Sequence, residues 1–153
     1  MSASGWRPAA LAPALALLLV TGCSEGEAGL AAGPRRDDPA CTRLSAALPP
    51  TVLGGSRVGD DDRGDARWGS PAVVLGCGHT PPGPSTRACL GVDGVDWLVD
   101  DPEADPIRFT SYGRDPAVVV LVPARYGRER ASEALADLAG AVAGLPREGP
   151  GCS

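Results

Sequence analysis

The chain has 153 residues, a formal net charge of −5 and 4% aromatic residues, with 21 glycines, 16 prolines and five cysteines. This length suits one domain. All 14 basic side chains are arginine against 19 acidic ones, and an acidic chain without a basic stripe sets nucleic acid aside, because phosphate binding needs clustered Lys or Arg.

In chain order, residues 1–8 carry the single Arg7, residues 9–20 are almost wholly apolar, and Thr21 and Gly22 follow. That is the order of a secretory signal, so residues 1–22 are expected to be removed. A helix of about 12 residues rises only about 18 Å, short of the roughly 30 Å of hydrocarbon that a spanning helix crosses. Val20-Thr21-Gly22-Cys23 resembles the bacterial lipobox. The resemblance implies cleavage between Gly22 and Cys23, with diacylglycerol on the Cys23 thiol and a further acyl lipid on that residue. Two or more acyl chains, at about 0.8 kcal/mol per buried CH₂, hold a domain to a bilayer far longer than one. The expected location is therefore the extracytoplasmic face of the cell membrane, with that membrane as a partner through lipid. The alternative is an ordinary signal that leaves Cys23 as a fifth disulfide candidate.

Residues 23–37 lack a helical or strand period and read as a flexible acidic tether, whose mean span is about 22 Å. The domain proper is expected over residues 38–153. Asp38-Pro39 is a good helix start, Cys41, Leu44 and Leu48 recur at helical spacing, and Pro49-Pro50 stops the pattern. Residues 52–69 are rich in Gly and Asp and read as an irregular loop.

Strands are expected at 72–76, 90–92, 95–99, 107–112 and 117–122. Asp93-Gly94, between the second and third, is the signature of a two-residue hairpin turn. A last helix begins near Ser132, with Leu135, Leu138, Ala139, Val142 and Leu145 on one face, and ends at Gly144-Leu145-Pro146. Two helical stripes that need the same sheet face predict an α+β two-layer sandwich, with a mostly antiparallel sheet of four or five strands.

With Cys23 assigned to lipid, Cys41, Cys77, Cys89 and Cys152 remain, an even number on the oxidising side of a membrane. Three pairings are open to them. The expected one joins Cys77 to Cys89 across a short proline-rich loop and Cys41 to Cys152 at the two ends of the domain. Zinc is the other use of four cysteines, but no CxxC pair exists and only His79 could assist. No metal or other cofactor is expected.

Several landmarks then coincide: the lipobox, CTRLSAALP, Trp68-Gly69 before PAVVLGCG, CLGVDGVDWLV, and RFTSYGRDPAVVVLVP before a helix ending GLP and a final cysteine. In that order they resemble the actinobacterial lipoproteins grouped as domain-of-unknown-function family 3515. The resemblance implies a lipid-anchored envelope protein and supplies no catalytic residue. One departure is Gly76, where a charged residue would be common before Cys77.

Candidate chemistry is sparse. His79 is the only histidine, and no GxSxG surrounds a serine, so it reads as a surface-loop residue. Asp60, Asp61, Asp62 and Asp65 suggest calcium, yet a loop starting at Asp60 puts Asp65 and Pro71 where an EF-hand needs Gly and Glu. Asp100, Asp101, Glu103 and Asp105 crowd a proline-containing turn rather than flank a cleft. Trp68, Trp97 and Phe109 read as core. Leu98, Val119 and Leu121 alternate away from that core and mark a candidate partner surface, unless the 52–69 loop covers them. The expected function is a non-enzymatic binding or accessory module for an envelope protein or wall polymer. The alternative is a small-ligand-binding lipoprotein with a pocket between the sheet and the Asp-rich loop.

Overall fold

The computed structural model describes residues 1–2, 5, 29–59 and 63–153. Among these residues, eight strands form one sheet in which every pairing is antiparallel, accompanied by two α-helices. Helix α1 (Pro39–Ala47) starts as its sequence requires: Asp38 accepts a hydrogen bond from the Ala40 amide at 2.8 Å, and Pro39 occupies the first turn. That bond, and after it Arg35, holds the Asp38 carboxyl below the usual carboxylate range against the opposing effect of burial.

Three short strands follow, β1 (Thr51–Val52), β2 (Gly55–Val58) and β3 (Ala66–Trp68), where the sequence predicts an irregular loop. They are two to four residues long, so alternation barely repeats before a turn interrupts it. The β1–β2 turn uses Leu53 at φ 51° and Gly54 at φ 78°. Leu53 pays for this left-handed conformation with clamps from the last helix: its amide donates to Asp137 Oδ2 at 2.9 Å, and Arg130 donates to its carbonyl at 3.2 Å.

The rest of the sheet is β4 (Val73–His79), β5 (Ala88–Val92), β6 (Val95–Val99), β7 (Ile107–Tyr112) and β8 (Ala117–Val122). Asp93 and Gly94 both have positive φ, which the two-residue hairpin demands. Strand order is β1-β2-β3-β4-β8-β7-β6-β5. The sheet thus has eight strands rather than four or five, and β8, apolar along its whole length, is central and fully buried.

A 3₁₀ turn (Ala124–Tyr126) leads into α2 (Gly127–Ala143), which starts a turn earlier than Ser132. The apolar period begins only at Ala131, because the first turn of the helix is exposed. Leu135, Leu138 and Val142 of α2, Cys41 and Leu44 of α1, and Trp68, Leu75, Trp97, Phe109, Val118 and Val120 of the sheet form one buried cluster. Trp68 also donates from Nε1 to the Pro49 carbonyl at 2.9 Å. No helix among the described residues is long and apolar enough to cross a membrane.

Candidate functional site

One row of residues crosses the sheet on the face opposite that cluster: Gly76 lies beside Val119, Val119 beside Thr110, Thr110 beside Leu98, and Leu98 beside Cys89. Leu98, Val119 and Leu121 share this face, as alternation requires. They are not an open patch, however, because their exposures are 0, 1 and 7%. Among the described residues of the 52–69 segment, β1, β2 and β3 extend the sheet, and Asp65 reaches the end of the row, its Oδ1 3.2 Å from where a Gly76 Cβ would stand. Part of the cover comes from the chain before α1, since Leu30 Cδ2 lies 2.5 Å from where a Gly76 Cβ would stand. At the other end of the row, Cys89 is bonded to Cys152 of the C-terminal tail.

Residues 33–36, expected to belong to the tether, are strapped to the end of β4. Arg35 donates its amide to the Gly78 carbonyl at 2.9 Å. A side chain at Gly33 would meet the Cys77 carbonyl at 2.3 Å, and one at Gly78 the Arg36 amide at 2.3 Å, so this crossing admits only glycine at both positions. Arg35 completes the strap by pairing with Asp38 and with Asp115.

His79 is brought onto this face by an irregularity in the β4–β8 pairing between Gly76 and His79. It is half-buried rather than a surface-loop residue. Its Nε2 is buried with no hydrogen-bond partner among the described residues and lies 3.3 Å from where a Gly76 Cβ would stand, while Asp65 Oδ1 lies 3.2 Å from the same point. Burial, and then the Arg108 guanidinium, push the imidazole below the ordinary histidine value, so it is neutral at neutral pH. Asp65 Oδ1 accepts from the Cys77 amide at 3.3 Å. Among the described residues, no three His, Cys, Asp or Glu side chains gather as metal ligands.

Two hollows flank the row. A cavity of about 260 Å³ lies between β2, β3 and β4, lined by Leu30, Val58, Gly59, Asp65, Arg67 and Val74 among others. A groove of about 580 Å³ continues from Arg67 and Val74 to Leu121, Pro106 and Arg125. Asp60, Asp61 and Asp62 lie outside the described residues, as do Gly22 and Cys23.

The second acidic cluster is a turn in which each acid has a partner within the protein. Asp100 pairs with Arg87 and with Arg108. Asp101 accepts from the Glu103 amide, Glu103 pairs with Arg128, and Asp105 accepts from the Ala124 amide.

The cysteines pair as Cys41–Cys77 and Cys89–Cys152, not as Cys77–Cys89 and Cys41–Cys152. Three strands separate β4 from β5, which puts Cys77 and Cys89 about 19 Å apart at about 4.8 Å per strand, and a disulfide needs Cα atoms within about 7 Å. The nearness of Cys77 and Cys89 in sequence is cancelled by β8, β7 and β6 lying between them. Cys77 instead points into the core beneath α1, where Cys41 waits on the buried stripe.

Arg114 has no signal in the sequence beyond being one arginine after a strand. It is 8% exposed. Its guanidinium donates to the carbonyls of Ala143 at 3.0 Å, Leu145 at 2.9 Å and Gly94 at 3.3 Å, closing the C-terminus of α2 onto the β5–β6 hairpin.

Compared with known proteins, the chain matches a family model described as a protein of unknown function, DUF3515, over residues 10–149. No curated protein matches it, and no solved structure does.

Proposed function

We propose that this chain, which belongs to the DUF3515 family, is an envelope lipoprotein: acyl chains on Cys23 hold it to the extracytoplasmic face of the membrane, where its crosslinked domain serves as a non-enzymatic binding or accessory module. The supporting observation is the cysteine inventory. Four of five cysteines are joined in pairs, which suits an oxidising compartment and leaves Cys23 outside both disulfides. The strap at residues 33–36 shortens the expected tether.

This reading places the chain in an actinobacterium, from its lysine-free, arginine-rich composition, and gives it an envelope protein or wall polymer as partner. Cell fractionation tests the anchor. The protein is expected in the membrane fraction, and Cys23→Ala is expected to lose acylation and membrane retention. Equal retention of that variant defeats the proposal.

A second reading has its own support in the cavity of about 260 Å³ lined by Gly59 and Asp65, where Asp65 and Arg67 stand among the apolar side chains of Leu30, Val58 and Val74. That lining suits a small ligand with one apolar and one polar end. Native mass spectrometry of the protein from cells is expected to show a bound small molecule that Val74→Trp, which fills the cavity, removes. A bare mass for the unmodified chain rejects this reading.

A further inference from the structure

Among the described residues, strand β5 is an edge of the sheet, since only β6 pairs with it. Its hairpin closes with Val92 opposite Val95 around Asp93 and Gly94, so the backbone groups of Val92, Leu90 and Ala88 point toward β6, and those of Cys89 and Gly91 point outward. No backbone hydrogen bond from either outward residue to another element occurs among the described residues. Ala88, Cys89 and Gly91 are exposed. The usual guards of an edge strand are absent: residues 88–92 contain no proline, no charge and no bulge. The C-terminal tail is tied toward β6, the Cys152 amide donating to Asp96 Oδ2 at 3.2 Å, rather than to the outer backbone groups of β5.

The sequence of the strand is complementary to itself when run antiparallel. Setting Leu90 opposite its own copy places Cys89 opposite Gly91, Ala88 opposite Val92, and Arg87 opposite Asp93. In that register the outward-pointing residues 89 and 91 exchange hydrogen bonds in pairs, as an antiparallel ladder requires. On the helix side, Ala88, Leu90 and Val92 meet Val92, Leu90 and Ala88 of the second copy. On the other side, the Cys89–Cys152 disulfide faces a glycine, so nothing obstructs it; a Cβ at Gly91 would meet only Asp96 Oδ1 at 3.3 Å. The ends pair opposite charges twice. Arg87 already holds Ser85 through Nε and Asp100 through Nη1, and its Nη2 has no partner among the described residues.

We infer that a second copy of this chain docks along β5, joining two eight-stranded sheets across a two-fold axis at Leu90. Two five-residue strands bury less than a standard interface, so the dimer is weak and concentration-dependent.

Sedimentation equilibrium of the full oxidised chain in density-matched detergent tests this together with amide exchange. The expected result is reversible dimerisation in which the amides of Cys89 and Gly91 slow with concentration, while those of Ala88, Leu90 and Val92 do not change. Arg87→Glu sets like charges opposite each other and is expected to raise the dissociation constant about tenfold. Gly91→Val raises strand propensity, so the monomer stays folded, but its side chain meets the partner's disulfide and dimerisation falls by a similar factor. A monomer at every concentration overturns the inference. So does a dimer in which the amides of Cys89 and Gly91 exchange as freely as in the monomer, or one indifferent to both variants.

Discussion

The two disulfides do different work. Cys41–Cys77 is buried at both ends, each cysteine 0% exposed, and locks α1 onto the core face of β4. Cys89–Cys152 lies on the opposite face at the edge, with Cys89 exposed and Cys152 half-buried. The chain lengths they close, 36 and 63 residues, give nearly equal entropic contributions of about 4 kcal/mol each. Loop length therefore does not separate them, and surroundings do. The first is a packing element of the core, whereas the second fastens a tail whose neighbours are held by other means.

The largest effect is expected from breaking that contrast directly. Cys41→Ala with Cys77→Ala loses the crosslink and leaves a void under α1, a total of about 5 to 6 kcal/mol. Cys89→Ala with Cys152→Ala loses about 4 kcal/mol. Urea unfolding of the two double variants measures the difference, and a larger loss from the exposed pair contradicts it. Under mild reductant the exposed bond is expected to open first, because thiolate attack requires access.

The next effect sharpens the contrast by showing what else holds the edge half. Arg114→Ala leaves the carbonyls of Ala143 and Leu145 at the end of α2, and that of Gly94, without their donor. A loss of about 3 kcal/mol is expected, with the amides of the β5–β6 hairpin exchanging faster than those of β4. Unchanged hairpin exchange would show that the disulfide alone holds this half.

The smallest effect belongs to the β4 half. His79 has a folded-state pKa below its unfolded one, so the unfolded chain binds the proton more readily. Its contribution is then constant above about pH 6.5 and stability falls as pH drops from there toward the folded value. His79→Gln is expected to flatten that part of the stability profile while leaving neutral-pH stability close to wild type. A wild-type slope retained by the variant would assign the pH dependence to other groups.

How much of this was legible in the sequence follows from the length of each pattern. Strands β6, β7 and β8 match their expected bounds because each has five or six residues of clear alternation or continuous burial. Asp93-Gly94 marks its turn because few residue pairs accept positive φ twice. Strands β1 to β3 were hidden by their brevity, and the Leu53 turn by a conformation that only contacts from Asp137 and Arg130 sustain. The disulfide pairing was not legible either. It depends on β8 entering between β4 and β7, and strand order leaves no local trace. The burial of Leu98 and Val119 escaped for a related reason, since alternation names the face of a sheet but not the segment that returns to lie on it.

The most direct test is non-reducing peptide mass mapping of the protein isolated from its native membrane. A Cys23 peptide that begins at that residue and carries glyceryl-linked acyl chains is expected, beside the crosslinked pairs Cys41–Cys77 and Cys89–Cys152. Recovery of Cys23 as a free thiol, or joined to any of the other four cysteines, would contradict it.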